Sequence, residues 1–186
     1  MNIGFAVCGS FCTFSKVFPI MEQLAQSHKI TPIFSESAGT IDSRFGVADS
    51  FIAIAERICN RRVWSSIDQV EPIGPKQLLD ALIVAPCTGN TLAKLAHGIA
   101  DTPVTMSVKS HLRNGRPVII AVSTNDALGA AAENIGKLLA RKYYYFVPFR
   151  QDDPLEKPTS MVADFTLVPE TITAALTETQ IQPVIH

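Results

Sequence analysis

The sequence predicts an α/β fold: a doubly wound parallel sheet in a flavodoxin- or Rossmann-like three-layer sandwich. Short apolar runs alternate along the chain with segments whose apolar residues recur at helical spacing. The runs are apolar almost throughout, which is typical of strands that helices cover on both faces of a sheet. Because the 186 residues contain no linker, internal repeat or low-complexity segment, we expect one domain over residues 1–186.

The first part of the chain predicts two strands and two helices. The apolar run at residues 2–8 is the first strand, and KITPIF at residues 29–34 is the second. Helical spacing runs from residue 14 to residue 25, where Pro19 fits best in the first turn, since a missing N–H costs little there. Residues 50–59 form the next predicted helix. Residues 60–75, with the single tryptophan and a Pro-Ile-Gly-Pro end, are predicted to be irregular.

The middle of the chain repeats the strand and helix alternation. Residues 78–85 are the third predicted strand, and a helix follows at residues 91–99. A second helical pattern covers residues 102–114, and Gly115 is expected to end it. The run PVIIAV at residues 117–122 is the fourth strand.

The last part of the chain predicts two helices, two strands and a long loop. Residues 127–141 form an amphipathic helix, and residues 143–147 form the fifth strand. QDDPLEKPTS, residues 151–160, is polar and contains two prolines, so we expect a surface loop. A last strand at about residues 165–168 and a helix at residues 170–177 complete the predicted fold.

Composition argues against several classes of function. The net charge of −1, without a run of Lys or Arg, predicts no nucleic-acid partner. No apolar run reaches the roughly 18 residues of a membrane span. No basic segment precedes the apolar start, so we expect no secretory signal and a cytoplasmic location. The four cysteines lack Cys-x-x-Cys or Cys/His spacing, which predicts reduced thiols and no metal site.

Small hydroxyl and amide residues follow four of the predicted strands. Ligands of doubly wound folds bind at the carboxyl ends of the strands, where such residues offer N–H and O–H donors to an anion. Each loop alone is better explained as a helix N-cap. Four at one sheet edge favour a phosphate-bearing ligand, and we predict that it is bound by Gly9, Ser10, Ser35, Ser37, Thr88, Gly89, Asn90, Thr91, Ser123 and Asn125.

The loop after the third strand is the centre of this predicted site. Gly89 would let the backbone approach an anion, and a helix beginning near Asn90 would direct its free N–H groups at it. Neither a G-x-G-x-x-G nor a G-K-[ST] motif occurs, so a mononucleotide site fits better than a dinucleotide or ATP site. No nucleophile and base stand out, and the catalytic residues remain unassigned. His111, in KSHLRNGR, is expected either on a solvated helix face or in a basic cluster that binds carboxylates.

The stretch APCTGNTLAKLAHGIAD, residues 85–101, carries a family resemblance. It resembles the signature of the flavoprotein superfamily of cysteine decarboxylases and flavin prenyltransferases, in which a Ser/Thr turn and the following helix bind FMN. Gly-Ser after the first strand and FSESA after the second resemble the phosphate loops of that superfamily. The resemblance implies an FMN site, and a homo-oligomer in which a neighbouring copy of the chain, meeting loops 36–50 and 60–75, completes the flavin pocket.

Two departures separate this chain from those enzymes. The decarboxylases carry a catalytic histidine between the second and third strands, whereas no histidine occurs here between His28 and His97. The decarboxylases also have a Pro-x-Met-Asn motif after the fourth strand, where this chain reads AVSTND. The prenyltransferases have an Arg-Glu pair there, and Thr124 and Asn125 stand in its place.

A third branch of the superfamily, from spore-forming bacteria, is similar over the whole chain. The resemblance lies in STNDALGA, in YYYFVPFRQDDPLEKPTSMVADF and in the ending QIQPVIH. It implies formation of pyridine-2,6-dicarboxylate from a cyclic dicarboxylate of the lysine pathway, together with a separate A subunit that binds NADP through its own Rossmann fold. Arg44, Lys109, Arg113 and Arg150 are the cations that this substrate would favour. Two alternatives remain: a non-catalytic scaffold with a vestigial anion site, and an FMN-dependent decarboxylase or flavin prenyltransferase.

Overall fold

The computed structural model describes residues 1–186 and contains a seven-stranded sheet flanked by helices. The sheet order is β2-β1-β3-β4-β7-β6, and β5 also pairs with β4. The strands are β1 Asn2–Val7, β2 Lys29–Phe34, β3 Ala81–Cys87, β4 Val118–Thr124, β5 Tyr144–Phe146, β6 Phe149–Asp153 and β7 Lys157–Ala163. The helices are α1 Phe14–Ala25, α2 Glu36–Thr40, α3 Ala48–Cys59, α4 Ile67–Val70, α5 Gly89–His97, α6 Pro103–Leu112, α7 Ala132–Leu139 and α8 Val168–Leu176.

Strands β1 to β5 form the parallel part of the sheet. All seven residues of β3 are buried, as are most residues of β1, β2 and β4, which is the pattern expected of strands covered on both faces. The doubly wound α/β fold and its first five strands are therefore confirmed. Pro86 lies inside β3 and cannot donate to the ladder, and the pairing of β3 with β4 shifts register between Val84 and Cys87.

The prediction of a surface loop at residues 151–160 is wrong. This region belongs to the antiparallel hairpin β6–β7, which also pairs with β4 through Ser123 and Thr124, so the sheet is mixed. The side chain of Asp153 holds the turn, because its Oδ1 accepts from the amides of Leu155 and Glu156. An antiparallel strand at the end of a sheet exposes one face to water, so its polar residues do not prevent a strand.

The predicted last strand, residues 165–168, is also wrong. Residues Phe165–Leu167 form a 3-10 turn that leads directly into α8. Asp164 starts this turn, since its Oδ1 accepts from the amide of Thr166 at 3.0 Å. A short apolar run cannot by itself be distinguished from the buried start of a helix, and the cap decides the outcome.

Two helical predictions and one predicted irregular segment need adjustment. The helix predicted at residues 127–141 is shortened to α7, because the amide of Leu128 bonds to the carbonyl of Thr159 in β7. Pro19 is the sixth residue of α1 and not in its first turn. Because Pro19 has no N–H, it donates no helical hydrogen bond to the carbonyl of Ser15, which belongs to an exposed residue. Residues 60–75 contain α4 and a 3-10 turn at Glu71–Ile73.

The segment around Trp64 extends the sheet beyond β2. The amide of Phe34 donates to the carbonyl of Trp64 at 2.9 Å, and the amide of Trp64 donates to the carbonyl of Pro32 at 2.9 Å.

None of the helices has the length and hydropathy that a bilayer crossing requires.

His111 is not on a solvated face, and it cannot receive carboxylates from solvent. The side chain is fully buried, and Nε2 lies 3.1 Å from the carbonyl oxygen of Pro117, whereas Nδ1 has no partner. Burial lowers the pKa of His111 from 6.5 to about 4, so the ring is neutral at pH 7. The motif KSHLRNGR looked solvated because its other basic residues, Lys109, Arg113 and Arg116, are exposed or partly exposed.

Candidate functional site

A cleft of about 760 Å³ opens at the carboxyl ends of β1, β3 and β4. We call it the carboxyl-end cleft. The chain order of the sheet reverses between β1 and β3, and ligands of doubly wound folds bind at such a point. The hairpin β6–β7 forms a further wall. The cleft is lined by Gly9, Ser10, Phe11, Cys12, Thr13, Lys16, Arg44, Phe45, Thr88, Gly89, Asn90, Ser123, Thr124, Asn125, Asp126, Asp152, Lys157, Ser160, Met161 and Val162.

The loop after β1 meets the last residues of β4 across the end of β3. The hydroxyls of Ser10 and Ser123 are 2.8 Å apart and form a hydrogen bond between residues far apart in the sequence. Ser10 is followed by a 3-10 turn at Phe11–Thr13 that leads into α1. Two of the predicted anion loops therefore share one wall of the carboxyl-end cleft.

The loop after β3 places the N-terminus of α5 in the same cleft. Thr88 is the N-cap, and its Oγ1 accepts from the amide of Thr91 at 3.4 Å. The amides of Gly89 and Asn90 lie in the first turn, where no carbonyl within the helix can accept from them. These two N–H groups and the positive end of the helix dipole give the cleft an anion-binding element.

Gly89 is tightly enclosed by the loop after β4. A Cβ at this position would lie 2.7 Å from Oδ1 of Asp126 and 2.8 Å from Oγ1 of Thr124. These two atoms are joined by a hydrogen bond of 2.5 Å, in which Thr124 donates to Asp126. The absence of a side chain at residue 89 therefore lets the loops after β3 and β4 approach each other.

The hairpin fixes the loop after β4 from the other side. Oγ1 of Thr159 donates to the carbonyl of Asn125 at 2.7 Å, and Oγ of Ser160 donates to the carbonyl of Thr124 at 3.4 Å. The sequence gives no sign of this contribution, because residues 151–160 have the composition of a loop. Thr124 and Asp126 lie in AVSTND, but neither is among the residues predicted to bind the ligand.

Seven of the ten residues predicted to bind the cofactor line the carboxyl-end cleft: Gly9, Ser10, Thr88, Gly89, Asn90, Ser123 and Asn125. The other three do not line it. Oγ of Ser35 accepts from the amide of Ala38 and caps α2. Thr91 is buried and donates to Sγ of Cys8 at 3.3 Å. Ser37 lies behind the loop after β1, with its Cβ 3.1 Å from where a Cβ on Gly9 would be.

Three cations and two carboxylates line the cleft. Nζ of Lys157 lies 2.8 Å from Oδ2 of Asp152, and this hydrogen bond raises the pKa of Lys157. Asp126 accepts from Thr124, as described above. Lys16 and Arg44 form no ion pair within the chain. Of the four cations that the sequence offered for a dicarboxylate, Arg44 lines the cleft, and Lys109, Arg113 and Arg150 are exposed or partly exposed elsewhere.

The cysteines form no disulfide. Cys8 and Cys87 are buried behind the loop after β3, and burial raises the pKa of Cys8 to about 11 and that of Cys87 well above its usual value. Both are therefore protonated at pH 7 and unsuited to nucleophilic attack. Cys12 is exposed on the cleft wall. No group of three or more His, Cys, Asp or Glu side chains is arranged to hold a metal ion.

The residues of the cleft suit FMN. A phosphate at a helix N-terminus accepts hydrogen bonds from neutral donors. The cleft offers such donors in its hydroxyls, in the amide of Asn90 and in the first N–H groups of α5. Asp126 is an acceptor and suits a donor, such as the hydroxyls of a ribityl chain. A methyl group at residue 89 would collide with Asp126 and Thr124. The close packing of these groups therefore depends on glycine at this position.

Comparisons with known proteins agree with this geometry. Residues 1–178 match the family described as Flavoprotein. The chain belongs to the flavoprotein family. The B subunit of dipicolinate synthase from Bacillus subtilis is 41% identical over 185 residues, which is 99% of this chain and 92% of that protein. The resemblance to the flavoprotein superfamily and to its third branch is confirmed.

Comparison with solved structures agrees with this family assignment. The crystal structure of the dipicolinate synthase B subunit from Bacillus halodurans has a TM-score of 0.91 and 44% identity, and the match covers 100% of this chain and 95% of that one. The FMN-dependent cysteine decarboxylase SpaF has a TM-score of 0.70 over 94% of this chain and 97% of its own. At 22% identity, this second likeness shows the fold alone.

Proposed function

We propose that this chain is the B subunit of a dipicolinate synthase. It would help to convert a cyclic dihydro- or tetrahydrodipicolinate intermediate of the lysine pathway to dipicolinic acid for bacterial spores. The observation that carries the proposal is the meeting of the Ser10–Ser123 pair with the N-terminus of α5 in one cleft, which suits FMN. The 41% identity to a relative with this name supports the reaction.

The chemistry requires a cofactor. Dihydrodipicolinate becomes the aromatic pyridine by losing two electrons and two protons, and the tetrahydro compound loses twice as many. Amino-acid side chains do not accept a pair of electrons as hydride, so a cofactor must. FMN, when bound, supplies a two-electron acceptor. The A subunit of dipicolinate synthase would bring NADP, for which this chain has no G-x-G-x-x-G motif.

The residues of this chain bind and orient in this proposal. The amides of Gly89 and Asn90 and the hydroxyls of Ser10, Thr88 and Ser123 would hold the phosphate of FMN. The hairpin β6–β7 covers one side of the cleft and would exclude water from it. Asp126 would orient a ribityl hydroxyl, and no side chain is assigned as a general base.

We place the protein as a homo-oligomer in the cytoplasm of the mother cell of a sporulating bacterium. The segment that precedes α3 supports association, because Ile41, Phe45 and Val47 are 48%, 47% and 50% exposed, respectively, and Phe45 lines the cleft. The bacterial setting follows from the relatives. In this proposal the substrate is a small cyclic dicarboxylate, and the protein binds neither nucleic acid nor a membrane.

A non-catalytic scaffold with a vestigial anion site is the second candidate. The specific observation that favours it is that the cleft is lined by no histidine, and the two buried thiols behind it are protonated at pH 7. An FMN-dependent decarboxylase or flavin prenyltransferase receives no such support. No histidine lines the cleft, and Thr124 and Asn125 occupy its β4 wall.

The absorption spectrum of the purified protein separates the enzyme from the scaffold. An enzyme component retains or takes up one FMN per chain and shows the visible flavin bands. The protein alone should form no dipicolinate from the lysine-pathway intermediate, and adding the A subunit with NADP should start synthesis. A protein that takes up no FMN at tens of micromolar, yet still supports synthesis with the A subunit, would establish the scaffold instead. Full turnover by the lone chain would contradict the requirement for this partner.

A further inference from the structure

Two cations in the carboxyl-end cleft form no ion pair within the chain. Lys16, in the first turn of α1, and Arg44, in the segment between α2 and α3, line the cleft, and neither forms an ion pair or hydrogen bond. Lys157 differs, because Asp152 neutralises it at 2.8 Å. Asp126, the remaining carboxylate, accepts from Thr124 at 2.5 Å. The three cations and two carboxylates give the cleft a formal charge of +1, and neither Lys16 nor Arg44 is paired with an acid.

Arg44 is presented by a well-built turn. The backbones of Ser43 and Gly46 bond to each other in both directions, at 3.0 and 3.1 Å, and Oγ of Ser43 accepts from the amide of Phe45. Gly46 has φ +150°, and a Cβ there would lie 2.6 Å from the ring of Phe51, so the turn is packed directly on α3. Packing of this kind reduces the entropy that the turn loses when Arg44 binds a ligand.

Phe45 orients the guanidinium within this turn. The Cζ atom of Arg44 lies 4.9 Å from the centre of the Phe45 ring, which is itself half-exposed in the cleft. A planar guanidinium held in this way binds carboxylates through two parallel hydrogen bonds. An ammonium such as that of Lys16 binds a second carboxylate as a point charge without a fixed direction.

The free cations are not the groups that the phosphate loops use. The donors of the loops after β3 and β4 are hydroxyls, amides and a helix N-terminus, with no cation among residues 88–91 or 123–126. Such neutral donors are sufficient for a phosphate. Lys16 and Arg44 belong to α1 and to the segment before α3, on other elements of the same cleft.

We propose that Lys16 and Arg44 form a dicarboxylate subsite, each binding one carboxylate of a cyclic dicarboxylate. The subsite lies in the same cleft as the FMN phosphate site and is separate from it in its residues. The inference rests on the proposed function, since it assigns the substrate class to particular side chains. It predicts selectivity for two carboxylates over one, because a monocarboxylate leaves one cation without a partner.

Direct binding of pyridine-2,6-dicarboxylate tests the subsite. Titration calorimetry on the purified full chain, with FMN present and divalent cations removed, compares the wild type with Lys16→Gln and Arg44→Gln. Each substitution should weaken binding of the dicarboxylate at least about tenfold, since it removes one charge-assisted contact. The preference over pyridine-2-carboxylate should shrink by the same factor. Arg113→Gln, which removes a cation outside the cleft, is the matched control and should change neither ligand.

Measurement of FMN affinity in the same variants separates the possible results. FMN binding within about twofold of the wild type, together with the loss of dicarboxylate binding, supports the division of the cleft. Loss of FMN binding in both variants would mean that these cations hold the phosphate and would overturn it. A wild type that binds FMN but not the dicarboxylate overturns the subsite and leaves the flavin proposal intact. A wild type that binds the dicarboxylate through these cations but never FMN supports the subsite and contradicts the flavin proposal.

Discussion

Substitution of Gly89 by alanine separates folding from ligand binding at the N-terminus of α5. The new Cβ would lie 2.7 Å from Oδ1 of Asp126 and 2.8 Å from Oγ1 of Thr124. Both distances are shorter than van der Waals contact, so the side chains of Asp126 and Thr124 must move away by several tenths of an ångström. Because these two atoms share a hydrogen bond of 2.5 Å, they cannot move independently without breaking it.

The effect on stability should be small and the effect on binding large. Alanine is favoured over glycine in helices by up to about 1 kcal/mol, and this gain offsets much of the steric cost. We expect the free energy of unfolding to change by less than about 1 kcal/mol. The displaced side chains should weaken FMN binding at least tenfold, which corresponds to about 1.4 kcal/mol.

Flavin fluorescence quenching measures the affinity, and urea denaturation measures the stability. Gly136→Ala is the matched control, because residue 136 lies inside α7 and a Cβ there meets nothing within 4 Å. It should stabilise the fold by roughly 0.5–1 kcal/mol and leave the affinity for FMN unchanged. An unchanged FMN affinity in Gly89→Ala would refute the reasoning, since the close approach of the two loops would then have no part in binding.

Three further predictions concern the loop, the buried histidine and the assembly. Thr88→Val combined with Asn90→Leu should weaken FMN binding about 100-fold or more, because two contacts to a charged group are worth roughly 1.5–3 kcal/mol each. Loss of the N-cap should cost only about 1 kcal/mol of stability, and quenching at an unchanged affinity would leave the loop as a helix cap alone. The depressed pKa of His111, about 4 against 6.5 when unfolded, means that the unfolded chain binds more protons between these values, so stability falls as pH falls. Urea denaturation should show about 2 kcal/mol less stability at pH 5 than at pH 7.5 from this group, a difference that His111→Gln removes and that His97→Gln keeps. Sedimentation at micromolar concentration should show an oligomer, which Ile41→Asp with Val47→Asp dissociates; a stable monomer in the wild type would contradict the association.

The parallel part of the fold could be predicted because strands that are buried on both faces have a simple sequence pattern. Strands such as Ala81–Cys87 consist of apolar residues without interruption, and no helix of this chain is apolar all round. The hairpin could not be predicted in this way. QDDPLEKPTS has the composition of a loop, and its pairing depends on the edge of β4, which lies more than thirty residues away in the sequence.

The candidate site divides along the same line. Residues directly after a parallel strand were placed near one another by topology alone, and Ser10 and Ser123 accordingly meet. Ser35 and Thr91 follow strands too, but their hydroxyls are used locally, by a helix cap and by the thiol of Cys8. Lys16 and Lys157 lie in the cleft because of helix packing and hairpin position, which no local pattern records.

The hairpin that walls the cleft also protects the sheet. β3 pairs with one edge of β4, so β5 and the hairpin must share the other, β5 at its start and β7 at its end. Without the hairpin, the end of β4 would offer unpaired N–H and C=O groups to any other chain, which is the usual route to edge-to-edge aggregation. Engineering the hairpin for a new substrate would therefore change solubility as well as selectivity. Truncating the hairpin should cause the protein to aggregate in addition to impairing ligand binding.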